Sequence, residues 1–151
     1  MGAYLKKIIV VDPDKCTGCR ICELACSFQH YKEYSPVRSR IQVVRDDFRG
    51  INIPILCQHC ETPLCIDVCP VNAIRKDEET GAVILDEEKC IGCKLCFYAC
   101  PFGGPSIDPV TGKVVKCDLC GGDPLCVKFC HRKALEFLQT DKASYLKKKA
   151  G

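Results

Sequence analysis

The sequence predicts an α+β fold made of two small modules, one inserted into the other, with small added hairpins. Three observations predict it. Sixteen of the 151 residues are cysteine, and they fall into four groups of four. Short runs rich in Ile, Val and Leu flank these groups and read as strands. The two middle groups, with the strand, turn and strand between them, read as one complete unit, which leaves the first and last groups only each other.

Taken in order, Ile8-Ile9-Val10-Val11-Asp12 reads as a strand before the first quartet, Cys16, Cys19, Cys22 and Cys26. Ser35-Pro36 marks a turn. Residues 40–45 partly alternate and read as a strand, 46–50 as a turn, and 51–56 as a second strand with Pro54 at an edge. This hairpin reads as packing beside the cysteine sites, with a docking surface as the other reading. The second quartet is Cys57, Cys60, Cys65 and Cys69. A short apolar step at Ala73-Ile74, a charged turn over 77–81 and a strand over 82–85 form a hairpin. The third quartet, Cys90, Cys93, Cys96 and Cys100, follows. Residues 107–115 read as another small hairpin. The fourth quartet, Cys117, Cys120, Cys126 and Cys130, leads into a strand at 134–138. Residues 142–149 read as a helix ending in Lys147, Lys148 and Lys149, a solvated terminus or a contact for an acidic partner. By motif, the fourth quartet plays the role of the second, and the first that of the third.

The spacing carries chemistry. The first and third quartets are C-x2-C-x2-C-x3-C, and the second and fourth widen the middle gap to four and five residues. Two thiolates three positions apart on a turning loop can point at one centre, and a third just beyond can reach another corner of it. The fourth, about a helical turn away, faces elsewhere. This pattern points to [4Fe–4S] clusters. A disulfide framework would need an oxidising compartment. Structural zinc would pair C-x2-C units into tetrahedral sites, and the first and third quartets are more compact than that. No cysteine is left over for nucleophilic work.

Other functions lack support. Residues 1–7 hold no apolar stretch of signal length, and no run reaches the ~18 apolar residues of a membrane span, so the expected location is cytoplasmic. No nucleotide or flavin motif is present, no Ser/His/Asp or paired-carboxylate constellation stands out, and nothing favours nucleic acid. Leaving out cysteine lowers the hydrophobic share of 47% to roughly 36%, so the ordinary core is small. His30, His59 and His131 read as groups beside the clusters rather than ligands. Phe28, Phe97, Tyr98 and Phe102 read as shields against water, and Gly103-Gly104 and Gly121-Gly122 as loops that let backbone approach a cluster.

The middle of the chain, through Cys69-Pro70 and Cys100-Pro101-Phe102-Gly103, closely resembles bacterial two-cluster ferredoxins. That resemblance implies crossed ligation. Cys57, Cys60, Cys65 and Cys100 would hold one cluster, and Cys69, Cys90, Cys93 and Cys96 another. Extending the rule outward, Cys16, Cys19, Cys22 and Cys130 would hold a third, and Cys26, Cys117, Cys120 and Cys126 a fourth. The fold implied is two bacterial 2[4Fe–4S] ferredoxin-like modules related by a pseudo-twofold: an inner one at 57–100, and an outer one at 1–56 plus 101–151.

From Cys16 to about Leu138 the chain resembles the four-cluster electron-transfer subunits of molybdenum and tungsten oxidoreductases. The likeness is close at Cys57-Gln58-His59-Cys60-Glu61-Thr62-Pro63-Leu64-Cys65 and Lys116-Cys117-Asp118-Leu119-Cys120. The segment from Cys26 to Val43 is most similar to the small subunits accompanying tungsten-containing aldehyde oxidoreductases and related reductases. The resemblance implies a non-catalytic one-electron relay of anaerobic metabolism. It would run between a catalytic subunit holding pterin-bound tungsten or molybdenum and a ferredoxin or other redox subunit. A free-standing polyferredoxin and a zinc-organised interaction module are the alternatives. The sequence departs from the family where Ser27 and His131 stand in place of proline, which predicts outer clusters that differ from the inner pair in exposure or hydrogen bonding. Each oxidised cubane with its thiolates carries about −2, so four would turn the formal +3 into roughly −5.

Overall fold

The computed structural model describes residues 7–139. The expected helix at 142–149 lies outside the described residues. Among the described residues the chain forms eight short strands and four α-helices. They are β1 (Lys7–Val11), α1 (Ile21–Tyr31), β2 (Gln42–Asp46), β3 (Ile51–Ile55), α2 (Leu64–Asp67), β4 (Ile74–Lys76), β5 (Val83–Leu85), α3 (Leu95–Ala99), β6 (Ser106–Ile107), β7 (Val114–Val115), α4 (Leu125–Phe129) and β8 (Leu135–Gln139). Both added hairpins expected from sequence, β2–β3 and β6–β7, are present.

The strands form four separate antiparallel pairs, β1–β8, β2–β3, β4–β5 and β6–β7. The β1–β8 pair joins the two ends of the described residues, with Ile9 opposite Phe137. It flanks the outer quartets as β4–β5 flanks the inner ones. Helix α1 packs on α4, and α2 on α3. Every strand is therefore a sheet edge, and Pro54 in β3 interrupts no third strand. An isolated two-stranded hairpin is marginal in water, so these pairs depend on what lies between them.

The apolar core is divided. Ile9, Ile41, Val43, Leu56, Ala82, Leu119 and Leu135 pack with Cys22, Cys26 and Cys126, whereas Ile74, Val83 and Val114 pack with Cys65 and Cys96. Buried polar groups tie the loops between. Glu23 in α1 accepts the Val43 backbone N–H at 2.7 Å, and burial keeps its carboxyl pKa raised. Arg38 lies over the Tyr31 ring and donates twice to Asp108, at 2.8 and 2.9 Å, fastening the β6–β7 hairpin to the segment after α1.

The helices differ in length for a local reason. Three residues past the fourth cysteine of a quartet, Asn72, Gly103 and Lys133 all adopt left-handed backbone, with φ of 52°, 68° and 53°. The chain turns there, and α3 and α4 stop at the cysteine. The first quartet is the exception. Helix α1 runs on past Cys26 to Tyr31 and ends at left-handed Lys32, whose N–H donates to the Phe28 carbonyl.

Candidate functional site

All sixteen cysteines lie among the described residues, and none forms a disulfide. Cys22, Cys26, Cys57, Cys65, Cys96 and Cys126 are buried, and only Cys19 and Cys93 are exposed. The fold gathers them in recognisable sets. One cavity, of about 70 Å³, is lined by Cys57, Cys60, Cys65 and Cys100. A second is lined by Cys16, Cys19, Cys22 and Cys130. Cys126 lies close enough to Cys117, Cys26 and Cys120 for their charges to add to the effect of burial on its thiol, which is pushed up. Cys96 is raised by burial and then by Cys90 and Cys93. Cys69 packs against the core group that contains Cys65 and Cys96.

Local backbone explains the convergence. Two residues past each first cysteine, Gly18, His59, Gly92 and Leu119 have φ of 71°, 46°, 73° and 57°. The backbone thereby curls around the sulfur, and three of these residues point their N–H at it: His59 to Cys57 Sγ at 3.4 Å, Gly92 to Cys90 at 3.4 Å and Leu119 to Cys117 at 3.5 Å. Glycine takes this conformation at low cost, which accounts for Gly18 and Gly92 in the compact quartets. At the far end, Ala73 donates to Cys69 Sγ at 3.2 Å and Gly104 to Cys100 Sγ at 3.3 Å. Gly104 must be small: a Cβ there would lie 3.2 Å from Cys57 Cα and 3.5 Å from Cys100 Sγ. Where α1 replaces the turn, the amide facing Cys26 Sγ comes instead from distant Arg40, at 3.3 Å.

These donors suit thiolates that share a cationic iron–sulfur core. Burial pushes the thiols of Cys22 and Cys117 up to about 12 and that of Cys65 to about 11. Such groups would stay neutral without metal, and a metal ion supplies the charge that makes them ligands. Cys69 goes the other way, because backbone N–H groups from Val71 to Ile74 outweigh the effect of its burial. Lys116 is only 3% exposed, yet among the described residues it forms no ion pair with a carboxylate. Its ammonium donates to Cys57 Sγ at 2.8 Å and to the Val83 carbonyl. A buried ammonium with no carboxylate partner calls for a negative group at that sulfur, and a thiolate-bound cluster provides one.

The histidines behave differently from one another. His30 Nδ1 lies 2.9 Å from the Cys26 carbonyl and 3.8 Å from Cys26 Sγ, while Nε2 meets Asp118 Oδ1 at 3.2 Å. Burial opposes its charged form, but the hydrogen bonds to Asp118 and Cys26 prevail and raise its pKa to about 9. His30, Asp118 and Cys120 also converge within 4.8 Å. The ring of His59 is engaged by backbone: its Nδ1 accepts the Val83 N–H at 2.9 Å, and burial, reinforced by Lys116, lowers its pKa to about 3. His131 is exposed at the rim of the cavity of Cys16, Cys19, Cys22 and Cys130. Of the aromatic residues expected to shield sulfur, Phe102 lines the cavity of Cys57, whereas Tyr98 is 77% exposed and Phe28 stacks on Tyr34. Sequence reasoning missed Lys116 and Arg40 as partners of sulfur.

Models described as the 4Fe-4S dicluster domain match residues 49–140 and 15–74. The protein is 47% identical, over 91% of its length and 79% of the relative, to the "aliphatic sulfonate oxidoreductase, polyferredoxin-like subunit" of Pyrococcus furiosus. It is 38% identical to one of the chains of the anaerobic dimethyl sulfoxide reductase of Escherichia coli, over 93% of this protein and 76% of that relative. Among solved structures it is similar to the active site complex BamBC of benzoyl coenzyme A reductase as isolated. There the TM-score is 0.52 at 35% identity, covering 87% of this protein and 75% of the other. Among the described residues, no helix is long and apolar enough to cross a membrane. Iron–sulfur chemistry thus takes precedence over zinc, and the protein belongs to the 4Fe-4S dicluster family of ferredoxin-like electron-transfer subunits of oxidoreductases, with four [4Fe–4S] clusters as its cofactors.

Proposed function

We propose that this protein relays single electrons, in the cytoplasm, between a catalytic oxidoreductase subunit holding pterin-bound tungsten or molybdenum and a ferredoxin or other redox subunit. An aldehyde oxidoreductase is the proposed catalytic partner. The four ligand sets are Cys16, Cys19, Cys22 and Cys130; Cys26, Cys117, Cys120 and Cys126; Cys57, Cys60, Cys65 and Cys100; and Cys69, Cys90, Cys93 and Cys96. The single observation that carries this reading is the cavity lined by three cysteines of the second quartet and the fourth cysteine of the third. Its counterpart at Cys16, Cys19, Cys22 and Cys130 supports the same crossing in the outer pair. The nested modules, 57–100 within 1–56 plus 101–151, and their pseudo-twofold draw support from two parallels. Strands β1 and β8 pair as β4 and β5 do. Gly18 matches Gly92 in backbone, as His59 matches Leu119.

When bound, the clusters supply reversible one-electron storage without bond rearrangement. The residues of the protein do the rest. Crossed ligands tie the first half of the sequence to the last. Backbone N–H groups donate to sulfur and stabilise negative charge there. Pro63, Pro101 and Phe102 line the cavity of Cys57 and reduce its access to water.

Anaerobic purification tests the reading. The expected product is brown, has four irons and four sulfides for each of four clusters, and comes with a large subunit that contains tungsten or molybdenum. In single Cys→Ser variants, Cys65 and Cys100 are expected to perturb one electron paramagnetic resonance signal and Cys69 another. If Cys65→Ser and Cys69→Ser perturb the same signal, crossed ligation is wrong. If the protein purifies alone as a competent carrier, the bound-subunit reading is wrong.

A further inference from the structure

We propose that Lys116 sets the reduction potential of one cluster, the one held by Cys57, Cys60, Cys65 and Cys100, by placing a fixed buried positive charge against its Cys57 sulfur. This rests on the ligand set proposed above and goes beyond it by naming where the relay holds its electron most tightly.

The argument is one of charge balance. Arg38, Arg40 and His30, the other basic side chains drawn into the fold, meet carboxylates: Arg38 at Asp108, Arg40 at Glu87 (3.3 Å) and Asp118 (3.8 Å), and His30 at Asp118 (3.2 Å). Their fields are largely cancelled nearby. Lys116 has no such partner among the described residues. It donates to the Val83 carbonyl in β5 and to Cys57 Sγ, and Arg40 donates to its backbone carbonyl at 2.8 Å. These contacts fix the stem and head of the side chain on the wall of the Cys57 cavity, which Lys116 itself lines. His59, also buried beside it, adds no charge, because its Nδ1 accepts the Val83 N–H and must be unprotonated. A cation held in a low-dielectric site is weakly screened. Adding one electron makes the thiolate-bound cluster one unit more negative, so Lys116 stabilises the reduced form over the oxidised one. No bond is made or broken, and the electron comes from the neighbouring redox centre.

The position gives the charge its use. Lys116 is the residue before Cys117, which belongs to the other module, and Cys117 lies close enough to Cys57 for the charge of that thiolate to help raise its pKa. The cation therefore sits at the junction between the modules, where the electron must pass from one to the other. A cluster of raised potential at that point serves as a resting place for the electron in mid-relay.

The test uses the four-cluster holoprotein, titrated with electron paramagnetic resonance detection. Lys116→Met and Lys116→Gln remove the charge, and Lys116→Arg keeps it. The expected result is that Lys116→Met and Lys116→Gln lower one midpoint by at least tenfold in the reduction equilibrium, about 59 mV for one electron, with Lys116→Arg close to wild type. The signal that moves should be the one Cys57→Ser perturbs. Unchanged midpoints in Lys116→Met overturn the proposal. So does a shift in Lys116→Met absent in Lys116→Gln, which would assign the effect to hydrogen bonding, and so does an equal shift in Lys116→Gln and Lys116→Arg. If Lys116→Met assembles fewer than four clusters, the Lys116→Gln and Lys116→Arg pair decides on its own. The ligand set fails separately, if Cys57→Ser and Cys100→Ser perturb different signals.

Discussion

Restoring proline after Cys26 should damage this protein, although proline follows the fourth cysteine of both inner quartets. In Ser27→Pro the ring would sit inside α1, which continues for four residues past Ser27. It would remove the Ser27 N–H from the helix and clash with the carbonyl of Glu23, a cost of about 3 kcal/mol or more. The lost hydroxyl adds to this. Ser27 Oγ donates to the Leu24 carbonyl and accepts the Ser35 N–H, both at 3.1 Å, and Ser27 is fully buried. Leaving the Ser35 N–H unpaired costs about 1 kcal/mol or more, so the total is about 4 kcal/mol. Ser27→Ala carries only the second part. His131→Pro is the control. Lys133 N–H donates to the Cys130 carbonyl at 3.1 Å, so His131 is the second residue of a four-residue turn, where proline is favoured. Cys130 is already extended, with ψ of 94°, as a residue before proline must be. The assay is the rate at which visible absorption is lost in anaerobic guanidinium, since loss of clusters makes unfolding irreversible. The expected order is Ser27→Pro fastest, Ser27→Ala intermediate, and His131→Pro close to wild type. If Ser27→Pro lasts as long as Ser27→Ala, or His131→Pro fails as fast as Ser27→Pro, the backbone reasoning is refuted.

Three further outcomes follow from the same geometry. Gly104→Ala pushes a methyl against the Cys57 backbone, which cannot give way as a flexible side chain would. It should cost about 1–3 kcal/mol and lower the iron content by one cluster, and retention of all four would show that the loop yields. Asp108→Asn leaves Arg38 only the exposed Glu33 carboxylate, at 3.2 Å, and should speed cluster loss. Because Arg38 holds the Asp108 carboxyl well below the usual carboxylate range, its stabilising effect is complete above the unfolded value of about 4 and fades only as pH falls through the lower folded value. The ratio of variant to wild-type rates should therefore be equal at pH 6 and pH 8, and a ratio that collapses between them contradicts the pairing. Iron chelation should abolish the far-ultraviolet circular dichroism of the fold, and a cooperative melt surviving in the apoprotein would sink the view that clusters hold it together.

What was legible in the sequence is what repeats in it. The quartets are visible because ligand geometry dictates spacing, whereas the left-handed turn at Gly18 and Gly92 that curls backbone around sulfur emerged only in the structure. The β1, β2–β3, β4–β5, β6–β7 and β8 strands were legible from short apolar runs between turns. Lys116 was not. Lys15 and Lys89 stand in the same place, directly before a first cysteine, and both are exposed. Burial of one among three identical letters depends on Cys57 and Val83, distant in sequence, which no local pattern encodes. Arg40 was hidden for the same reason: its amide meets the sulfur of Cys26, fourteen positions earlier in the sequence.

Ser27 shows how a signal can be seen and its cause misjudged. The sequence marks the missing proline, and the natural inference is a difference in cluster environment. The structure supplies an earlier cause. Three quartets close with a left-handed turn that returns an amide toward the fourth sulfur or its loop, and the first closes with a helix that cannot. Cys26 consequently takes its amide from Arg40 and gains His30 at 3.8 Å, and these hydrogen bonds bring its thiol pKa below the ordinary value despite burial. The altered environment is a result of the longer helix, and the longer helix is what places Tyr31 beneath Arg38 and delivers the backbone to the β2–β3 hairpin. His131 carries no comparable constraint. The two departures from proline thus have different origins even though they fall in the same half of the pattern.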